Sequence, residues 1–330
     1  MLGNYRLKKR IKHVITNSRI LLRLLRLLSG DMPKVFVWHR FSAPGENIFN
    51  RMSADEFGWQ LDQINRDFQV LSFGEMLEYF NRHGNWPRRC VVLTIDDGYR
   101  DFYRWAFPEL KKRGMKATYF ATVNFVEGKI WLWPDRLQWV LDATGLSGVT
   151  LKLHDETHIY PLVNQRDKTV VWKTCSDHCI TLPDEQKEMF IRSLEEALQV
   201  SCPEVPTEEY RAVTWAELRE MGNHGIEIGS HTMNHPILSR IGPEILKEEV
   251  CGSREILREK LDQEISTFCY PNSAPGDITG DVVEQVRNAG YSGAVFGIDL
   301  KTWDPYQVPR MGVSAGRADF LWKLYGGESI

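Results

Sequence analysis

Apolar and polar positions alternate along the chain with two different periods, and the switching lays out an order of elements. "KVFVWHR" is a short apolar strand (Val35–Trp38) ending in His39, and another strand falls at Gln69–Leu71. "CVVLTI" (Cys90–Ile95) is apolar throughout, as in a parallel sheet covered on both faces. "KATYFAT", "IEIGS", "STFCYP", "YSGAVF" and "YQVPRMGV" continue the series. Between these runs apolar residues recur at helical spacing. "SADEFGWQLDQINRDF" opens on Ser53 as a cap with Glu56 three residues on. A helix is expected at Phe73–Asn81, and another in "DFYRWAFPELKKRGM", kinked at Pro108 and stopped at Gly114. "TWAELREMGNHG", "GPEILKEEVCGSREILREKL" and "DVVEQVRNAG" complete the set. Strands alternating with helices predict an α/β fold with a parallel sheet, and this many repeats suffices to close a barrel.

One segment breaks the rhythm. Residues 126–209 contain Trp131, Trp133 and Trp139, then "VTLKLHDETHIYPL", which alternates and turns at Asp155–Thr157 like a hairpin, then Trp172 and the helix "DEQKEMFIRSLEEAL". This reads as an insertion on a domain spanning 31–330, its tryptophans serving packing before sugar stacking.

Composition changes the picture at one end only. Of 330 residues, 42% are hydrophobic and 26% charged, and the net charge of −3 gives no pull toward nucleic acid. Residues 1–30 nevertheless carry Arg6, Lys8, Lys9, Arg10, Lys12, Arg19, Arg23 and Arg26 and no acid. At 100° per residue Arg19, Arg23 and Arg26 share one narrow face and the leucines the other, which predicts a basic amphipathic helix suited to an anionic membrane surface. Packing on the domain or a partner, or an Arg-rich organelle presequence, are the competing expectations. No run has the length of a transmembrane helix. Six cysteines without a regular framework point to a reducing, cytoplasmic compartment, with the protein peripheral on the inner membrane face. Cys175, His178 and Cys179 lack the second ligand pair of a zinc finger.

The chemistry gathers where strands give way to loops. His39, Asp96, Asp97, His231, Tyr270 and Arg310 stand at such ends. A turn would account for "DDG" by itself. In "SHTMNH", His231 and His235 are separated by three residues, a spacing that puts both imidazoles on one side of a helical turn. One carboxylate with two imidazoles leaves coordination positions open, as in a catalytic metal site, and a neighbouring acid can then act as base. The rival pair His154 and His158 flanks a hairpin tip, with no strand-end acid placed beside it in the predicted order, and reads as exposed.

"TIDDGY", "SHTMNH" and "FCYPN", in this order, resemble the motifs of the NodB-type polysaccharide deacetylases, carbohydrate esterase family 4. "WHR" and "VPRMGV" resemble the branch found with exopolysaccharide and surface-glycan biosynthesis. The resemblance covers Val35 to Val313 except the insertion, and it implies a distorted (β/α) barrel and removal of an N-acetyl group from a glycan sugar. It implies a divalent ion on Asp97, His231 and His235, with zinc expected first and cobalt, nickel or iron as alternatives. Asp96 would be the general base, and a backbone N–H near Tyr270 would help stabilise the oxyanion. Two features depart from the family pattern. Cys269 stands where an Arg usually pairs with the base, and Arg310 is the candidate substitute. The usual late Leu–His motif is not recognisable in "ADFLWKLYGG", which leaves His39 as candidate general acid, imidazole being the group that ordinarily titrates near neutrality.

The alternative function is a catalytically silent, glycan-binding or scaffolding member of the same fold. An Fe(II) oxygenase is disfavoured because "HTMNH" has no acid two residues after its first His. A glycosidase is disfavoured because adjacent carboxylates do not face each other across a bond.

Overall fold

Wholly apolar strands need cover on both sides, and the chain supplies it by wrapping a parallel sheet into a ring with helices outside. The computed structural model describes residues 10–30, 32–153, 156–274, 276–297 and 303–329, so Arg6, Lys8, Lys9 and His154 lie outside the described residues. The ring is built from β1 (Lys34–Trp38), β2 (Gln69–Leu71), β3 (Cys90–Ile95), β4 (Ala117–Ala121), β7 (Ile226–Ser230), β8 (Thr267–Cys269), β9 (Gly293–Phe296), β10 (Val308–Pro309) and β11 (Met311–Gly312). Their order is β10-β9-β8-β7-β4-β3-β1-β11, with β2 beside β3, and every pairing is parallel. The two ends of that order are neighbours in sequence. Val308 pairs with Val295 on one lip, Met311 pairs with Phe36 on the other, and Arg310 stands between. The barrel is thus nearly closed by one short stretch of chain.

The helices depart from simple periodicity at two places. Phe102–Ala106 forms a π turn that runs into α4 (Phe107–Arg113), so Pro108 sits in the first turn of α4, where its missing N–H costs nothing. This replaces the expected kink. The run from Pro243 to Leu261 likewise carries a π turn at Glu248–Gly252. Ser53 precedes α2 (Ala54–Asp67) but makes no side-chain capping bond to it, whereas Ser72 and Glu75 form a full capping box on α3 (Phe73–His83).

The interrupting segment contains more helix than its pattern predicted: α5 (Trp133–Ala143), the hairpin β5 (Gly148–Leu153) and β6 (Glu156–Pro161), α6 (Gln165–Cys179) and α7 (Asp184–Leu198). Leu137, Leu141, Leu151, Val171, Cys175 and Ile191 give it a core of its own. Trp131 donates to the carbonyl of Pro203 at 2.8 Å and Trp172 to that of Pro134 at 3.1 Å, so these rings pack within the segment. All six cysteines are free thiols.

At the amino end the described helix is broken at Asn17–Ser18, and α1 (Arg19–Ser29) lies on the outside of the ring with Leu22 and Leu25 buried. Arg26 donates to the Asp67 carbonyl at 3.3 Å and lies over the Phe68 ring, and Arg23 bonds the Asp67 carboxylate at 3.1 Å. The expected wholly free arginine face is therefore partly spent on α2. Among the described residues no helix is long and apolar enough to cross a membrane.

Candidate active site

β3 delivers its two carboxylates in different directions because the chain leaves extended geometry between them. Asp96 still belongs to the sheet, its N–H donating to the Trp38 carbonyl at 3.1 Å. Asp97 has φ 80° and Gly98 φ 107°, which reverses the backbone at once. A side chain at Gly98 would be strained at that φ, and its Cβ would also meet the Thr122 nitrogen at 3.5 Å. The Asp97 carbonyl accepts from Thr122 at 3.2 Å and that of Gly98 from Val213 at 2.9 Å, so the turn is tied to two other elements.

Asp97 faces the histidines. Its Oδ1 lies 3.3 Å from His231 Nε2 and 3.4 Å from His235 Nε2, and the three donor atoms all fall within 4.8 Å of one another. No helical turn brings the imidazoles together. Residues 231–235 are a loop in which Thr232 (φ 70°) and His235 (φ 61°) both take left-handed backbone. Buried Glu249, from the π turn, holds this loop by accepting from the N–H groups of Met233 and Asn234 at 2.9 Å each and from Asn234 Nδ2 at 2.6 Å. Pattern reasoning missed Glu249; its only signal was an acid placed among apolar neighbours in the long helix. His231 Nδ1 bonds the Cys269 carbonyl at 2.8 Å, which makes that nitrogen a donor and turns Nε2 toward Asp97.

Asp96 faces the other way. Arg310 Nη1 donates to Oδ1 at 2.6 Å and Nη2 to Oδ2 at 2.7 Å, and the same guanidinium reaches Thr94 Oγ1 at 3.0 Å, Cys269 Sγ at 3.1 Å and the Phe296 carbonyl at 3.3 Å. His39, half exposed at the rim, places Nε2 3.7 Å from Asp96 Oδ2. A second grouping, Asp96 with His231 and Cys269, is also close enough to hold an ion. Both oxygens of Asp96 are already committed to Arg310, so the Asp97 set is the better fit to a divalent cation: two imidazole nitrogens and one carboxylate oxygen converge on one point.

The charges follow from these partners. Burial would raise the Asp96 carboxyl, but Arg310, His231 and His39 outweigh it and hold it below the ordinary value. Burial opposes ionisation of Asp97 as well, and the hydrogen bonds from His231 and His235 hold it well below. Burial lowers His235, and His231 beside it lowers it further, while His231 itself is held well above the ordinary value despite burial, by Cys269, Asp97 and Asp96. The two imidazoles are thus biased in opposite directions around a carboxylate biased toward ionisation.

Tyr270 differs from its expected role. Its N–H donates to the Val295 carbonyl at 3.2 Å in the sheet, its hydroxyl donates to the Tyr306 carbonyl at 3.0 Å, and the next residue, Pro271, has no N–H. Neither Tyr270 nor Pro271 therefore has a backbone N–H free for an oxyanion. His158 stands at 41% side-chain exposure beside Glu156, away from any such cluster.

A family model described as polysaccharide deacetylase matches residues 83–294. The chain belongs to the polysaccharide deacetylase family. The matched span holds Asp96, Asp97, His231, His235 and Cys269, whereas His39 and Arg310 lie outside it. The Bacillus subtilis (strain 168) protein YxkH, which carries a polysaccharide deacetylase name, is 22% identical over 88% of this chain and 75% of its own. Two solved structures share the fold. The Streptococcus pyogenes deacetylase PplD in complex with acetate has a TM-score of 0.57 at 17% identity, covering 90% of this chain and 99% of that one. IcaB from Ammonifex degensii has a TM-score of 0.56 at 18% identity, covering 90% and 98%. The deacetylase barrel expected from the motifs is the fold observed.

Proposed function

We propose that this deacetylase removes N-acetyl groups from sugars of a polysaccharide or glycan precursor with the help of a divalent ion, zinc first among the candidates. The observation that carries the reading is the division of labour at the end of β3, where Asp97 faces two histidines and its neighbour Asp96 is paired separately with Arg310.

Asp97, His231 and His235 would hold the ion, which when bound supplies an acidified water and polarises the amide carbonyl. Asp96 is the group placed to accept a proton, kept ionised by Arg310 and in a fixed orientation by the two-armed pair. His39 lies beside the same carboxylate and is half open to solvent, which supports its reading as the group that gives a proton to the departing amine. His231 is locked by the Cys269 carbonyl so that its free nitrogen faces the ion position.

The test is acetate release from N-acetylglucosamine oligomers by zinc-loaded protein, wild type beside Asp96→Asn. Release that disappears in the variant supports the reading. Release equal in both would remove Asp96 as base, and no release by any metal-loaded form would favour a glycan-binding role.

A further inference from the structure

α1 presents two opposite apolar faces, and only one of them is used by the fold. Leu22 and Leu25 are buried. Ile20, Leu24, Leu27 and Leu28 are 73%, 49%, 62% and 79% exposed, and at 100° per residue they occupy an arc of roughly 100°. The stripe does not end with the helix. Leu27 also lines a surface groove with Met32, Tyr79, Phe80 and Trp86. A continuous apolar surface of this kind marks an interaction site.

Charge says what the partner is. Residues 1–30 hold eight of the 41 basic residues and no acid, so the remainder carries −11 against the whole chain's −3. Arg19 and Arg23 flank one edge of the stripe, and Arg10 is exposed on the preceding turn. Leucines beside arginines that reach past them is the pattern of a helix lying in an anionic headgroup layer. Stripe-to-stripe packing of two copies would instead bring two basic segments together.

We infer that the outer face of α1, with Leu24, Leu27 and Leu28 at its centre, docks on an anionic lipid bilayer. The groove lies at the N-terminal ends of the strands, between the approach to β1 and the end of α3, whereas the carboxylates and histidines stand at the C-terminal ends. Docking there leaves the open end of the barrel free of the bilayer.

The experiment is co-sedimentation of the full chain with vesicles of phosphatidylcholine alone or of equal parts phosphatidylcholine and phosphatidylglycerol. Wild type is expected to pellet with the anionic vesicles only, and less so as salt is raised. Leu24→Glu with Leu28→Glu, both at exposed positions, is expected to weaken binding about tenfold, as is Arg10→Gln with Arg19→Gln. Wild type remaining in the supernatant with anionic vesicles overturns the inference, as does undiminished binding by the Leu24, Leu28 variant. A lipid-free dimer that the same variant dissolves would assign the stripe to a second copy and equally overturn it. None of these readouts depends on deacetylation.

Discussion

Arg310 grips Asp96 with both arms of its guanidinium, at 2.6 and 2.7 Å, in a place where neither side chain meets solvent. A carboxylate and a guanidinium paired in this way are held in register as well as in charge. Removing one partner leaves the other buried and uncompensated.

Replacing Arg310 by Met is therefore expected to destabilise the protein by roughly 3–5 kcal/mol at neutral pH. The pH dependence gives a sharper check. The folded Asp96 carboxyl sits below its unfolded value, so the pair's contribution is present above the ordinary carboxylate range and lost as pH falls through the lowered folded value. The gap between wild type and Arg310→Met in urea unfolding should shrink as pH drops below about 4. A gap independent of pH would mean that packing, not charge, makes Arg310 matter.

The two acids at the end of β3 should separate under mutation. Asp96→Asn is expected to bind zinc normally and lose about 10²–10⁴ in turnover. Asp97→Ala is expected to lose zinc and turnover together, since it removes one of three donors. Metal analysis beside acetate release checks both, and equal zinc loss in the two variants would contradict the separation.

Metal uptake should release a proton. His231 is held well above its ordinary value in the metal-free cluster, while His235 is lowered. Binding requires both nitrogens free, so zinc affinity should rise with pH until His231 has lost its proton. In the metal-free protein the sign is reversed for stability. The raised His231 contributes fully below about pH 6.5 and less as pH rises through its folded value. Calorimetric zinc titrations in buffers of different ionisation enthalpy report the proton count, and a count of zero at pH 7 would overturn this charge assignment.

His39→Ala is expected to lower turnover about 10²-fold without changing zinc content, because the ring lies 3.7 Å from Asp96 and outside the metal cluster. Unchanged turnover would leave the proton to solvent.

Much of this site was legible because its parts are local. "DDG" and "HTMNH" each follow a strand written in a wholly apolar run, and parallel strands carry their ends to one rim. The alternation gives a parallel α/β sheet able to close, and the motifs resemble those of the deacetylases. Pairing across the sheet was reached only through the resemblance, which left the base without its usual Arg and made Arg310 the candidate. Arg310 and Asp96 are 214 residues apart, and their contact depends on β10 and β11 meeting opposite lips of the ring. The Tyr270 N–H was misjudged for the same reason, since its donation to Val295 is a matter of register. The histidine spacing suggested a helical turn, yet left-handed backbone at Thr232 and His235 achieves the same convergence. The helices α5 and α6 escaped because tryptophans and polar residues blurred their periodicity, and the basic amino-terminal face was partly spent on Asp67, which only tertiary structure reveals.

The five residues from Val308 to Gly312 fasten both edges of the circle and also deliver the counter-ion of Asp96. A fragment cut to residues 83–294 would retain every candidate metal ligand and the carboxylate beside them. It would lack the clasp of the circle and the positive charge that keeps Asp96 in working form. Mechanical integrity and proton-accepting power are thus vested in one peptide.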